Sequence, residues 1–226
     1  MSHAEWEAIW LTASLAGITT VILLILGTPL AWWLSRRQST VSAAIEALVA
    51  LPLVLPPTVL GFYLLLMLAP ETVIGRAWQA LTGSPLAFSF EALVIGSVVY
   101  SLPFVVQPLQ QAFSRVPVGL TQAAASLGAK PMDQFRSIVL PITRRSFVVA
   151  AALGFAHTVG EFGVVLMIGG NIPGETRVLS IALYDYVETL QFAEAHRLAL
   201  GLVVFSLATL FMLYRAAPDA RLGLSR

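Results

Sequence analysis

The sequence predicts an all-α polytopic membrane protein that crosses the bilayer about five times. Three observations carry this. Of the 226 residues, 58% are hydrophobic and only 11% are charged, against about 25% charged in soluble globular chains. Uncharged runs recur along the chain at roughly the ~20 residues that a ~30 Å hydrocarbon core requires. Lysine and arginine cluster in alternate connections between those runs, as expected when the basic loops stay on the cytoplasmic side. Cysteine is absent, which excludes disulfides, thiolate chemistry and Cys-ligated metals.

The first run is Ala8 to Ser35. The segment before it, "MSHAEWEA", is acidic rather than basic, and the run is too long for a signal-peptide core, so it reads as a permanent anchor. The second run, Ala47 to Pro70, contains "LPLVLPP" with Pro52, Pro56 and Pro57. Proline removes a donor and clashes with the preceding turn. Residues 41–50 are therefore expected as a separate helix near the cytoplasmic surface, with the span starting near Pro57. The break is either a kink packed on its neighbours or irregular backbone beside a pathway, since such backbone at membrane depth needs protein or water around it.

The third run is Ala92 to Ser114, and the fourth is Ser146 to about Ile168, interrupted only by Glu161. The fifth, Leu198 to Tyr214, is short. Between the last two lies "NIPGETRVLSIALYDYVETLQF", residues 171–192. Its Pro-Gly pair marks a turn, and the apolar spacing after it fits an amphipathic helix on the outer face. That segment reads as a packed loop or as part of a gate or docking surface. Its full insertion would make six spans and put the C-terminal arginines outside.

Arg36, Arg37, Arg115, Lys130, Arg136, Arg144, Arg145, Arg215, Arg221 and Arg226 fall on one side of a five-span chain; these are ten of the 13 basic residues. That side is expected to be cytoplasmic. Arg76, Arg177 and Arg197 fall outside, with most of the acids. The N-terminus is then outside and the C-terminus inside. The tail after Tyr214 is too short for a soluble regulatory domain, so residues 1–226 read as one transmembrane domain.

The longest cytoplasmic connection, residues 115–145, holds "QAAASLGAKPMDQFRSIVLP" at 122–141. "TQAAASLGA" is a good helix former. Gly128 sits where that helix ends, Pro131 opens the next, and "MDQFRSIVL" continues to Pro141 before the fourth span. Ala123, Ala124 and Ala125 give a smooth face, and Phe135, Ile138 and Leu140 supply apolar anchors. The pattern is either a hairpin closing the bundle or an element gripped by a cytoplasmic partner.

These twenty residues resemble the cytoplasmic signature of ABC-importer permeases, Glu-Ala-Ala-x3-Gly-x9-Ile-x-Leu-Pro, with Gln122 in place of the glutamate. Together with "LPLVLPPTVLGFYLLL" at 51–66, "GEFG" at 160–163 and "NIPGETR" at 171–177, the chain is similar to permease subunits of molybdate importers from about residue 5 to 214. Sulfate and tungstate permeases share part of the pattern. The resemblance implies a type I ABC-importer permease fold in a bacterial inner membrane, surrounded by lipid. It implies a homodimer, two cytoplasmic ATPase subunits and an external molybdate-binding protein, with no nucleic acid. It makes Gln122, Ala123, Ala124, Leu127, Gly128, Ile138, Leu140 and Pro141 the ATPase-coupling residues.

A phosphate-binding loop needs a Gly-rich turn ending in Lys and Ser or Thr. The only lysine, Lys130 in "GAKPM", fits none. The motor is therefore expected on another polypeptide, and this chain as a transport subunit without cofactor, metal or catalytic residue. Glu161 is the one acid expected within a span, and such residues default to a functional hypothesis. It lies roughly 24 Å along the fourth helix from Arg145, at ~1.5 Å per residue, and is expected either to accept backbone or His157 hydrogen bonds that fix the "GEFG" segment or simply to reach the outer headgroup region. Pro56, Pro57, Gly160, Glu161, Phe162 and Gly163 are expected at a gate, with close approach at the two glycines and Phe162 as an apolar plug. Conduction needs weak contacts, so Thr58, Ser97, Ser101 and Gln107 are candidates for the anion path.

Two other classes fit the sequence less well. A stand-alone secondary carrier would be favoured by repeated halves, and no internal repeat is visible. An intramembrane enzyme would need clustered chemistry, whereas His3, His157 and His196 are scattered.

Overall fold

The computed structural model describes residues 2–216; Arg221 and Arg226, used above for orientation, lie outside the described residues. Helix α1 spans His3–Arg36. Its start is fixed by a reciprocal cap in which Glu5 N–H donates to Ser2 Oγ and Ser2 N–H to Glu5 Oε2, at 3.2 and 2.7 Å. Helix α2, Thr40–Ala50, is capped by Ser39. A tight turn at Leu51–Leu53 follows, then α3 at Pro57–Leu68. The two arms meet at 110°, because the three prolines deny the backbone a continuous ladder of donors.

Helix α4, Val73–Thr82, was not foreseen in the sequence. It is capped by Thr72 and stopped by Gly83, whose φ of 80° suits a residue without Cβ. Helix α5 runs Phe90–Ser114 and α6 Val118–Ser126. Helix α7, Pro131–Gln134, passes through a widened turn at Phe135–Val139 into α8, Leu140–Gly160. Short helix α9, Gly163–Gly169, then α10, Leu179–Glu188, and α11, Phe192–Ala216, complete the described residues.

Among the described residues four helices are long and apolar enough to cross a membrane, and the count is five where the bent pair of α2 and α3 is taken as one span. The fourth span differs from expectation at both ends. Residues Pro131–Gly160 form one 30-residue helix, so Pro141 does not interrupt it. The reason is the widened turn: Leu140 N–H reaches back to the Phe135 carbonyl, a spacing that accommodates irregularity inside a helix. At the outer end the helix stops at Gly160 rather than near Ile168. Glu161 therefore stands in a break between two helices.

The core lies where α1, α5 and α8 pack together. Leu23, Val105, Val106, Leu109, Phe113, Val139 and Ala150 are buried there. Phe113 meets Trp32, Phe135 and Phe147 edge-on or tilted, at 5.4, 6.1 and 5.9 Å between ring centroids, separations at which aromatic pairs attract. A second cluster, with Leu64, Leu93, Val164, Ile168 and Ile181, joins α3, α5, α9 and α10. Helix α11 stands apart, with only 6% of its apolar window buried. Its exposed Leu200, Val204, Leu207 and Phe211 suit an acyl-chain environment.

Candidate functional site: an outer break and a protruding helix

The outer break is built by α3, α8, α9 and α10. Glu161 is only 4% exposed, and its contacts explain how a carboxylate is held there. Val164 N–H donates to Glu161 Oε1 at 3.0 Å, satisfying one of the free donors that begin α9. Ser180 Oγ donates to the Glu161 backbone carbonyl, tying the break to α10. His157 does not pair with Glu161 as expected; its Nδ1 lies 2.9 Å from Ser101 Oγ on α5. The turn of chain after Gly160 removes the shared helix face on which that pairing depended.

The expected close approach holds at one glycine. A Cβ on Gly163 would lie 2.7 Å from Pro57 Cβ, so α9 touches the first turn of α3 only because that side chain is missing. Gly160 has nothing within 4 Å of such a Cβ, and there the expectation of close packing is corrected. Pro56 closes the start of α3 through its carbonyl, which accepts from Val59 and Leu60 N–H. Phe162 is half-buried with its ring centroid 4.9 Å from that of Tyr184.

Pro57, Thr58, Gly160, Glu161, Phe162 and Gly163 line one cleft of ≈ 510 Å³ together with Tyr100 and His157. Of the other hydroxyl candidates, Ser101 sits behind His157, and Ser97 is buried with no partner for its hydroxyl. Gln107 lies elsewhere, in a ≈ 730 Å³ cleft with Arg37, Glu46 and Gln110 between α1, α2 and α5.

The protruding helix is α6. None of its residues is buried. It ends in a pair of reversed hydrogen bonds, Gly128 N–H to the Ala125 carbonyl and Ala129 N–H to the Ala124 carbonyl, at 2.9 and 3.0 Å. This left-handed stop uses Gly128 at φ 87°. Lys130 N–H then meets Asp133 Oδ2 at 3.3 Å, and Gln134 Nε2 donates to the Ala129 carbonyl at 2.8 Å. Gln122 and Ala123 are exposed, Ala124 is half-exposed, and Leu127 at the tip is 89% exposed. Phe135 and Ile138 turn inward onto the α1–α5–α8 core, so they anchor this chain to itself. Leu140 and Pro141 remain exposed.

Sequence reasoning missed two features. Buried Glu5, besides capping α1, accepts from Arg197 Nη2 of α11 at 3.2 Å; the two lie 192 positions apart, so no local pattern signals them. Thr176 accepts from Ile172 N–H and donates to the Gly169 carbonyl at 3.1 and 2.7 Å, while Arg177 pairs with Asp185. "NIPGETR" is thus a latched loop, whose Thr-Arg pair was the available signal.

Residues 9–223 match the family described as binding-protein-dependent transport system inner membrane component. The molybdenum transport system permease protein ModB of Azotobacter vinelandii is 55% identical over 214 residues, covering 95% of each chain. The protein of the same name from Escherichia coli K12 is 35% identical over 189 residues, covering 84% of this chain and 82% of that one. Among solved structures, a bacterial alginate ABC transporter in complex with its alginate pentasaccharide-bound periplasmic protein superposes with a TM-score of 0.71. It is 18% identical, covers 98% of this chain and 80% of that one, and speaks to the fold alone.

Proposed function

Because the chain belongs to the family of binding-protein-dependent transport system inner membrane components, we propose that it carries molybdate inward as the permease subunit of an ATP-driven ABC importer. It is a multi-pass inner-membrane protein and a transport subunit; ATP hydrolysis belongs to a separate ATPase chain. Its residues 1–226 act as a single transmembrane domain, with 115–145 as the cytoplasmic coupling loop. The assembled importer holds two copies of this chain in lipid, two ATPase subunits below and one loaded binding protein outside. The N-terminus faces out and the C-terminus faces the cytoplasm.

One observation carries the coupling reading. Helix α6 has no buried residue, yet it sits at the base of an unbroken 30-residue helix that ends at the Glu161 break. Such a helix is about 45 Å long at ~1.5 Å per residue. A partner that seats Gln122, Ala123, Ala124, Leu127 and Gly128 in a groove therefore moves a stiff rod whose far end lines the outer cleft. Ile138, Leu140 and Pro141 transmit that motion where the loop joins the rod. ATP-driven closure of the ATPases displaces α6, and the rod re-angles Gly160, Glu161, Phe162 and Gly163 against Pro56 and Pro57. Among the described residues no strongly cationic side chain lines the outer cleft, which suits passage, since tight sites trap an ion.

The test is uptake of labelled molybdate into proteoliposomes holding this chain with its ATPase, with binding protein outside and ATP inside. Uptake that needs both ATP and the binding protein, and that tungstate blocks while sulfate does not, is expected. Block by sulfate with no molybdate carried would move the cargo, and uptake without ATP would overturn the importer.

A further inference from the structure

Proton counting behind the outer cleft fixes the state of a histidine that the transport reading has not used. Thr158 Oγ1 lies 2.9 Å from the Gly154 carbonyl oxygen. A carbonyl has no proton to give, so the Thr158 proton goes to it. Ser101 Oγ is 3.1 Å from Thr158 Oγ1, and Thr158 has no second proton, so Ser101 donates there. Ser101 Oγ is also 2.9 Å from His157 Nδ1. With the Ser101 proton committed, Nδ1 must carry a hydrogen and donate to Ser101. The chain Nδ1–H to Ser101 to Thr158 to the Gly154 carbonyl then runs in one direction and selects one tautomer. Nε2 is left with a lone pair.

The ring is also held in place. It stacks on Phe104 with centroids 3.8 Å apart and planes 24° apart, and lies 4.9 Å from the ring of Tyr100. Among the described residues the one hydrogen bond of the His157 side chain runs through Nδ1 and none through Nε2, and His157 lines the ≈ 510 Å³ cleft. Around it, α5 contributes Tyr100 and the α8–α9 break contributes Glu161, while α3 offers the uncharged Pro57 and Thr58. On α10, Tyr184 packs against Phe162. Glu5 of α1 and Arg197 of α11 are occupied with each other.

We infer that His157 Nε2 touches the transported oxyanion, and that the anion passes this point with one proton shared between Nε2 and an anion oxygen. This rests on the proposed importer function. A neutral ring in the selected tautomer presents only a lone pair, and a fully deprotonated tetrahedral dianion presents only lone pairs. Two acceptors repel. One proton resolves this, whether it arrives on the ring from water or on the anion as a hydroxyl. The resulting N–H–O contact contains the same atoms and net charge by either route, and no bond to the central atom changes. The proton also offsets one charge beside the Glu161 carboxylate. Ser101 and Thr158 are positioning residues, since they act only through the ring.

The experiment uses the complete importer in proteoliposomes, with ATP-driven uptake of labelled molybdate measured across roughly pH 5.5 to 8.5. His157→Asn keeps a donor near Nδ1 but has nothing at Nε2; His157→Gln places an amide near Nε2. Rates are read directly and also as ratios to the unsubstituted importer at each pH, the ratios cancelling effects on the binding protein. All variants are first shown to assemble by co-purification of the ATPase. Expected are uptake by the unsubstituted importer that falls as pH rises, a loss of about tenfold in His157→Asn, as for one hydrogen bond to a charged group, and a flat profile with retained uptake in His157→Gln. Ser101→Ala, which frees the tautomer, should shift the profile without abolishing uptake. Variants that keep the rate and pH profile of the unsubstituted importer would overturn the inference while leaving the importer reading standing. Absence of ATP-dependent uptake in the unsubstituted protein would overturn both.

Discussion

At the break after α8, Glu161 is buried with its side chain spent on Val164 and its carbonyl on Ser180, and Gly163 lies against Pro57. At α6 the hydrogen bonds are all local, no residue is buried, and Leu127 stands in the open. Both regions interrupt long helices and both rely on glycine. They differ in where their contacts close. The break closes on four elements of its own chain, so its geometry is set before any partner arrives. A helix as short as α6 is marginal by itself in water, and its Gly128 stop supplies order without supplying burial. In the proposed coupling role its apolar tip is completed from outside, so that one region stores a shape and the other receives a force.

The comparison breaks most visibly if the outer contact is crowded. Gly163→Val places methyl groups where even a Cβ is 2.7 Å from Pro57. Overpacking of this kind costs up to ~3 kcal/mol. The purified protein should melt well below the unsubstituted chain in detergent, while Gly160→Ala, with open space around it, should melt unchanged. Equal melting of the two would show that α3 and α9 do not hold the break. Next in size is Glu161→Ala, which leaves Val164 N–H without its acceptor. A buried donor left unpaired costs about 2 kcal/mol. Glu161→Gln keeps an oxygen there and should recover most of that loss in the same melting experiment.

The sequence made the helical spans legible because burial in lipid writes itself as uncharged length. The ends of α2, α3 and α5 followed within a few residues, since prolines and the limits of uncharged runs act locally. The Glu161 break was hidden for a physical reason. Glycine, glutamate and phenylalanine do not forbid a helix, and the chain leaves the helix there because Pro57, Ser180 and Val164 meet it from three other elements. The Ser101–His157–Thr158 chain was hidden likewise, since Ser101 and His157 are 56 positions apart. Position 141 misled in the other direction. Its proline is a strong local signal for a boundary, but the widened turn at 135–139 absorbed it. The role proposed for residues 122–141 rests on fixed spacing and family resemblance, because a protruding helix leaves no trace in its own chain's packing.

Substitutions in α6 should sharpen the same contrast at lower cost to the chain. Gly128→Val forces a branched residue to φ 87°, a conformation that costs about 1–2 kcal/mol. Nothing lies within 4 Å of the new Cβ, so the strain stays in the loop. Melting should fall slightly, whereas stimulation of the ATPase by the loaded binding protein should be lost. Normal transport by this variant would remove α6 from the coupling path.

Leu127→Ala is expected to change stability least of all. Its side chain is almost wholly exposed, and surface substitutions of that kind stay within about 0.5 kcal/mol. In a docked complex the same side chain is buried, and a truncated anchor at an interface centre costs about 2 kcal/mol or more. The prediction is therefore a dissociation: unchanged melting of the permease, with ATPase binding weakened about thirtyfold at ~1.4 kcal/mol per tenfold. Titration of purified ATPase onto the permease in nanodiscs reads this directly. Unchanged affinity would mean that the exposed tip is a solvent-facing residue in the assembled importer as well, and that α6 is held through Gln122 and its alanine face instead.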